Sequence, residues 1–106
     1  MPKPVDVGRR CLSDIESAAD YYLTHGGDAV ADEFLTAVED ALDYIGDNPQ
    51  AGSLRWSYEL GLPEVRHWPL DRFAYLIFYV DQQDHVRAWR LLHARRDIAM
   101  ELQVQD

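Results

Sequence analysis

The sequence predicts a single α+β domain with the element order β-α-α-β-β-β, in which an N-terminal helical hairpin packs on one face of a small antiparallel sheet. Three observations support this prediction. Apolar residues in the first half of the chain recur at helical spacing, a pair of glycines interrupts that pattern, and the second half contains apolar runs of strand length. Because 106 residues provide for one hydrophobic core, we expect residues 1–106 to form one domain.

The first half of the chain is predicted to contain a short strand and two helices. Residues 3–10 are the candidate strand, although proline and glycine within them weaken this prediction. Ser13 with Glu16 three residues later has the form of a capping box, which predicts that the first helix starts near residue 13. The pair Gly26-Gly27 ends this helix, and Asp28 caps the second one. A joint of two residues predicts that the two helices form an antiparallel hairpin.

The second half is predicted to contain three strands after a loop at residues 50–63. The middle strand is apolar on both faces, so we expect it in the interior of the sheet. No further element in the sequence is long enough to cover the second face of the sheet, which we therefore expect to be open to a partner. The tail from about residue 99 is compatible with a helical turn, an edge strand or a segment ordered by a partner. The three strand segments are VRHWPL (65–70), FAYLIFYV (73–80) and HVRAWRLL (85–92).

The chain is acidic, with a net charge of −9. This charge repels a phosphate backbone, so we expect no direct sequence-specific binding of nucleic acid by the chain alone. The charge is unevenly distributed, because residues 1–50 contain 3 Lys/Arg against 11 Asp/Glu. Residues 85–96 contain four arginines and no acid. This pattern predicts a solvated acidic face on the helices and a basic working segment near the C-terminus.

The expected compartment and cofactors follow from what the sequence lacks. Its longest apolar run, at residues 73–80, is too short to cross a membrane, and its N-terminus has no segment of signal-peptide type. The single cysteine, Cys11, cannot form an internal disulfide, in agreement with a reducing compartment. We therefore expect a cytoplasmic protein without membrane contact. The absence of a phosphate-binding glycine loop and of metal-ligand spacing predicts no cofactor and no metal ion.

The candidate functional residues are arginines and histidines of the second half. One interpretation is that they make structural or partner contacts, because arginine suits bidentate pairing with carboxylates. The other is RNA cleavage, in which Arg66 or Arg72 stabilises the developing charge and His93 acts as a general acid. Residue types alone favour the first interpretation, since structural networks also use such residues. The candidates for partner binding and toxicity are Arg87, Arg90, His93, Arg95 and Arg96.

Four segments, in their order and spacing, resemble the ParE branch of the ParE/RelE toxins of bacterial toxin–antitoxin modules. The resemblance covers roughly residues 5–99, and its most specific parts lie in the strand half. Arg66 and Pro69 stand at positions that the family favours, and the pattern R-x-L-H-x-x-R-D is filled from Arg90 to Asp97. The segments are CLSDIESAADYY, DNPQAG, EVRHWPLDRFAYLIFYV and VRAWRLLHARRDI.

This resemblance implies the β-α-α-β-β-β fold, a ParD-like antitoxin whose C-terminal segment wraps the toxin, and growth arrest through inhibition of DNA gyrase by binding rather than by catalysis. RelE-type relatives instead cleave mRNA on the ribosome. The acidity of the chain and its single lysine, Lys3, favour the ParE branch. We expect Arg95 and Arg96 to reach a partner, while Arg90 and His93 orient the end of the strand. Ribosome-dependent RNA cleavage and an inactive, antitoxin-binding relative remain the alternatives.

Overall fold

Seven elements of secondary structure follow one another in the computed structural model, which describes residues 2–62 and 64–103. They confirm the predicted α+β class and, with small shifts of their ends, the three strands of the second half. No helix in these two described ranges is long and apolar enough to cross a bilayer. The elements are β1 (Val5–Val7), α1 (Arg9–Asp47), α2 (Arg55–Leu60), β2 (Val65–Pro69), β3 (Tyr75–Asp81), β4 (Val86–His93) and α3 (Ile98–Gln103).

Helix α1 is a helical hairpin, as predicted. Its backbone leaves the helical region at Gly27, where φ is 84° and ψ is 179°, a conformation that glycine adopts without steric strain. The ring centroids of Tyr22 and Phe34 lie 5.0 Å apart. Twelve residues of straight helix would separate them by about 18 Å. The chain therefore turns back at Gly27, and we call residues 9–26 the first arm and residues 28–47 the second arm.

The predicted start of the first helix was wrong, because α1 begins at Arg9 rather than near residue 13. Gly8 follows β1 directly, and its amide donates to the carbonyl oxygen of Ala88 at 2.8 Å. The carbonyl of Gly8 then accepts the amide of Leu12 at 2.9 Å, which closes the first helical turn. The chain thus passes from strand to helix without a linker. Ser13 consequently lies inside the helix and caps nothing.

The sheet has the strand order β1-β4-β3-β2. Strand β3 pairs antiparallel with both β2 and β4, which confirms its predicted interior position. Strand β1 pairs parallel with β4, with Val5 opposite Val86. The sheet is therefore mixed, whereas the sequence predicted an antiparallel one. The three residues of β1 are too few for their pattern to specify a partner or a direction.

The two faces of the sheet are both covered. The hairpin buries one face around Phe34, Ile45 and Ile77, none of which is exposed. The prediction of an open second face was wrong, because α3 packs Ile98 and Leu102 there. Helix α2 packs on the same side through partly buried apolar residues.

The two covering helices contain six residues each, too few to show helical periodicity in the sequence. The predicted loop at residues 50–63 therefore contains α2. Of the three alternatives for the tail, the structure shows the helical turn, at residues 98–103. The rest of the tail, residues 104–106, lies outside the described residues.

Candidate interaction site at the end of strand β4

The last part of β4 has a sheet edge that helix α1 occupies. Strand β1 ends at Val7, opposite Ala88, so no strand of the described chain continues along β4 beyond that point. The backbone amide of Leu91 donates instead to Oδ2 of Asp14 at 3.0 Å. A carboxylate on the first arm thus replaces the carbonyl that a neighbouring strand would supply. This contact fixes the first arm against the sheet.

Arg90 is a buried residue that joins three elements. Its side chain is 5% exposed and pairs with both carboxylate oxygens of Asp14, with Nε–Oδ2 2.8 Å and Nη2–Oδ1 3.1 Å. Nη1 also donates to the carbonyl oxygen of Glu101 in α3 at 3.4 Å. The hydrogen bonds that its guanidinium donates to Asp14 raise the pKa of Arg90 above its usual value, so the guanidinium stays charged. Arg90 therefore holds α1, β4 and α3 together and presents no free donor surface to a partner.

His93 shapes the turn that follows β4. Its Nδ1 accepts the backbone amide of Arg95 at 3.1 Å, so the neutral ring carries its proton on Nε2. The ring also contacts Tyr75 edge-on, with the centroids 5.0 Å apart and an interplanar angle of 78°. His93 is half-buried. These contacts orient the turn that follows β4.

The three remaining candidate arginines differ in what their side chains contact. Arg87 pairs with Asp6 at 2.6 Å on the surface of the sheet. Arg96 is 60% exposed and pairs with Oε2 of Glu101 at 3.1 Å. Arg95 is exposed, and within residues 2–62 and 64–103 its side chain makes no hydrogen bond or ion pair. Arg95 therefore carries the guanidinium best placed to pair with another molecule.

A cavity of about 330 Å³ lies beside this turn, between the first arm and β4. Ser17 and Tyr21 line it from the helix, while Tyr75 and His93 line it from the sheet. Burial raises the pKa of Tyr75 above its usual value, so its hydroxyl remains a hydrogen-bond donor at neutral pH. The cavity offers hydroxyl and imidazole groups next to Arg96, a combination that suits a polar side chain of a protein partner.

The structure does not bring together the residues proposed for RNA cleavage. Arg66 lies opposite Tyr79 of β3, whereas His93 lies opposite Tyr75 on the other side of β3. Four residues along the strand and two interstrand spacings place their Cα atoms roughly 16 Å apart. Arg72 lies in an exposed turn with φ 72° and pairs with Glu33 at 3.7 Å. These three side chains therefore form no common site.

Arg66 holds a loop instead. Its Nη1 donates to the carbonyl oxygens of Gln50 and Gly52 at 3.1 and 3.0 Å. The hydroxyl of Tyr79 donates to the carbonyl of Pro49 and accepts the amide of Gly52, both at 2.9 Å. A Cβ at Gly52 would lie 2.5 Å from that hydroxyl, so only glycine fits there. The arginine of β2 thus anchors residues 49–52.

Two acidic residues of the site were not identified from the sequence. Asp14 lies 76 positions before Arg90, and in sequence it reads as one more solvated acid of the helix. Glu101 lies in a tail whose structure the sequence left open. A local pattern carries no signal for either contact, because both depend on how distant elements pack.

The residues 2–62 and 64–103 contain no group of three or more His, Cys, Asp or Glu arranged to hold a metal ion. Cys11 is buried, and burial raises the pKa of its thiol to about 12. The thiol therefore stays protonated at neutral pH and acts as a small core residue.

The fold matches that of a solved structure described as "Chromosomal ParDE TA system from P. aeruginosa". The TM-score is 0.74 at 16% sequence identity, and the match covers 88% of this chain and 97% of that chain. At such low identity the match establishes the class of fold alone. Comparison with curated protein sequences finds no match.

The sequence itself matches a family model over residues 5–98, and that family is described as "ParE toxin of type II toxin-antitoxin system, parDE". The match spans most of the chain and includes both arms of the hairpin and all four strands. The chain belongs to the ParE toxin family of type II toxin–antitoxin systems. This finding confirms the resemblance seen in the sequence.

Proposed function

We propose that this chain is a cytoplasmic toxin that inhibits DNA gyrase by binding it, and that a ParD-like antitoxin neutralises it. The contact with gyrase is made by the exposed turn after β4, with Arg95 and Arg96 as its anchors. The observation that carries this proposal is the free guanidinium of Arg95 on a turn that His93 fixes. Membership of the ParE family supports the class of target.

The geometry favours binding because the turn is ordered before any partner arrives. The amide of Arg95 is held by His93, and α3 is held through Glu101 to Arg90. An arginine on an ordered backbone loses less backbone conformational entropy on binding than one on a mobile tail. Its planar fork also pairs with a carboxylate through two hydrogen bonds.

The net charge of the whole chain restricts where an acidic partner surface can bind, and so favours this segment. With a net charge of −9, most of the surface repels an acidic partner surface. The turn carries two adjacent exposed arginines, Arg95 and Arg96, which attract acidic groups and so also orient the encounter. Ribosome-dependent RNA cleavage has less support, since Arg66 and His93 lie on opposite sides of β3.

A supercoiling assay with purified gyrase tests this proposal. We expect the wild-type chain to inhibit supercoiling and the antitoxin to relieve the inhibition. The concentration for half-inhibition should be at least about tenfold higher for the double variant Arg95→Ala/Arg96→Ala than for the wild type. The reason is that exposed arginines of this kind are common binding anchors.

The matched control is Arg9→Ala/Arg55→Ala, which also removes two exposed arginines, one at the start of α1 and one at the start of α2. It should inhibit like the wild type. No inhibition by an excess of folded wild-type chain, as judged by circular dichroism, would reject gyrase as the target. Growth arrest without gyrase inhibition would then favour the RNA-cleaving alternative, and no growth arrest would favour the inactive relative.

A further inference from the structure

Three residues with hydroxyl groups line the cavity between the first arm and β4. Ser17 and Tyr21 belong to the first arm, and Tyr75 is the first residue of β3. Their hydroxyls make no hydrogen bond within residues 2–62 and 64–103. A hydroxyl can donate one hydrogen bond and rotates to suit its partner. The cavity therefore contains donors that the fold of the described chain does not use.

The aromatic rings around the cavity are held by one another. Tyr75 contacts His93 edge-on at a centroid distance of 5.0 Å, and it contacts Tyr22 at 6.3 Å. Tyr21 in turn meets Tyr22 edge-on at 5.4 Å. Such edge-on pairs are favourable arrangements of aromatic rings. The hydroxyl donors therefore belong to side chains that are ordered before a ligand arrives, which lowers the entropic cost of binding.

Arg96 adds a positive charge to the lining of the cavity. Burial is the main cause of the raised pKa of Tyr75, and the charge of Arg96 partly offsets this rise. The guanidinium is therefore close enough to act on the Tyr75 hydroxyl. Nη1 of Arg96 donates to Glu101 at 3.1 Å, and its other nitrogens make no hydrogen bond within the described residues. Arg96 thus retains donors for a ligand.

Asp14 is a carboxylate in the lining of the cavity, but its oxygens are already engaged. Oδ2 accepts Nε of Arg90 at 2.8 Å and the amide of Leu91 at 3.0 Å. Oδ1 accepts Nη2 of Arg90 at 3.1 Å. The charge of Asp14 is balanced by Arg90, and its oxygens do not compete for the hydroxyl donors.

The ligand that matches this lining is a single carboxylate. An ionised carboxylate only accepts hydrogen bonds, at up to about four lone-pair positions, and it pairs well with a guanidinium. The volume of about 330 Å³ is at the low end of ligand pockets, which span about 300–1,000 Å³. It suits one side chain better than a folded segment. A nucleic-acid strand suits it less, because its repeated charges would meet the exposed carboxylates of Glu16 and Asp20 on the same arm.

We infer that this cavity binds the side chain of an Asp or Glu residue of gyrase. Arg96 pairs with the carboxylate, and the hydroxyls of Ser17, Tyr21 and Tyr75 donate hydrogen bonds to it. This inference rests on the proposed function, since it takes gyrase as the partner. It adds a selective element to the arginine turn, because an exposed arginine alone attracts any acidic surface, whereas the cavity accepts only an acid that protrudes.

Removal of hydroxyls without change of shape tests the lining. The double variant Ser17→Ala/Tyr75→Phe should raise the concentration for half-inhibition of gyrase supercoiling at least about tenfold. The control Ser13→Ala/Tyr58→Phe also removes one serine and one tyrosine hydroxyl, both exposed and outside the cavity. It should inhibit within about threefold of the wild type. Circular dichroism should show the wild-type fold for both variants.

Photocrosslinking identifies the acid on gyrase. Tyr21, which is 55% exposed, is replaced by benzoylphenylalanine and the toxin is irradiated with intact gyrase. Mass spectrometry of the crosslinked peptide should show an Asp or Glu at or beside the point of attachment. On gyrase in which that acid is changed to Ala, wild-type toxin should inhibit about tenfold more weakly, and Ser17→Ala/Tyr75→Phe should cause no further loss.

The possible failures are distinguishable. Equal inhibition by the wild type and Ser17→Ala/Tyr75→Phe would overturn this inference and leave the proposed function intact. A full additional loss from the double variant on gyrase that lacks the acid would also overturn it, because the hydroxyls would then act elsewhere. Binding of single-stranded RNA that Ser17→Ala/Tyr75→Phe abolishes would assign the cavity to a phosphate instead. No inhibition by folded wild-type toxin would reject both the proposed function and this inference.

Discussion

At the scale of single residues, neighbouring arginines of the same stretch have opposite surroundings. The side chain of Arg90 is 5% exposed and satisfied by carboxylates, whereas that of Arg96 is 60% exposed. The side chain of Arg95, next to Arg96, makes no hydrogen bond or ion pair with any residue that the structure describes. It is therefore free to pair with a partner. The difference arises because Arg90 faces Asp14 of the first arm while Arg95 follows the last strand. Residue type therefore does not indicate which arginine binds a partner.

His67 provides a residue-scale prediction on pH. Its Nδ1 is buried without a hydrogen-bond partner, and burial, followed by the charge of Arg55, lowers the pKa of the ring. Because the folded-state pKa lies below the unfolded value of about 6.5, the neutral ring contributes fully to stability above that pH. This contribution is lost as the pH falls from about 6.5 through the folded-state pKa.

The measurement is chemical denaturation of the wild type and His67→Leu at about pH 7.5 and pH 5. The variant should already be more stable by about 1 kcal/mol at the higher pH, because the unpaired buried nitrogen is gone. Its advantage should grow at the lower pH. An advantage that does not change with pH would contradict the prediction.

At the scale of elements, the structure depends on contacts between pieces that are individually short. Helix α3 has six residues and β1 has three, and neither is stable in isolation. Arg90 and Asp14 connect the first arm to β4, and Glu101 extends this network to α3. The network therefore determines whether these elements stay docked.

We predict that Asp14→Ala lowers the free energy of unfolding by about 3–5 kcal/mol, because it leaves the charge of Arg90 buried and the amide of Leu91 unpaired. Urea denaturation measures this change. Asp20→Ala, an exposed acid of the same arm, is the control and should stay within about 0.5 kcal/mol of the wild type. A loss of similar size for both variants would disprove the role of the network.

The contrast between local patterns and contacts between distant elements explains how much of the fold and of the site the sequence predicts. The hairpin and the three later strands follow from local patterns, namely the Gly26-Gly27 pair and the apolar runs. Helix α2 escaped prediction and a helical turn was only one of three alternatives for the tail that contains α3, since six residues show no periodicity. The partner of Arg90 escaped because it lies 76 positions away. The functional role of the turn with Arg95 stays a prediction from its local concentration of charge.

At the scale of the whole molecule, the net charge of −9 opposes the compact state. Most of this charge lies in the helical half, where 11 acids accompany 3 bases in residues 1–50. Nine of these acids are exposed on the hairpin, whereas Asp6 lies in β1 and Asp14 is half-buried against Arg90. We infer that their mutual repulsion lowers the stability of the free toxin.

Salt should therefore stabilise the free chain. Raising NaCl from about 20 mM to about 300 mM should raise the melting temperature by several degrees, since the Debye length falls and the repulsion is screened. Differential scanning calorimetry measures the change. The variant Glu16→Lys/Asp20→Lys, with its net charge changed by +4 to −5, should show a smaller increase. A melting temperature that falls or stays constant with salt would contradict this account.

The pairing of the first strand with the last has a consequence for how the toxin is made. Val5 lies opposite Val86, so β1 finds its neighbour only when nearly the whole chain has left the ribosome. Asp14 likewise cannot form its ion pair until Arg90 has been synthesised. Contacts so distant in sequence slow folding. In a nascent chain that ends before β4, strand β1 has no strand to pair with and the turn with Arg95 has not yet been synthesised. The turn with Arg95 is therefore among the last parts of the domain to be completed during synthesis.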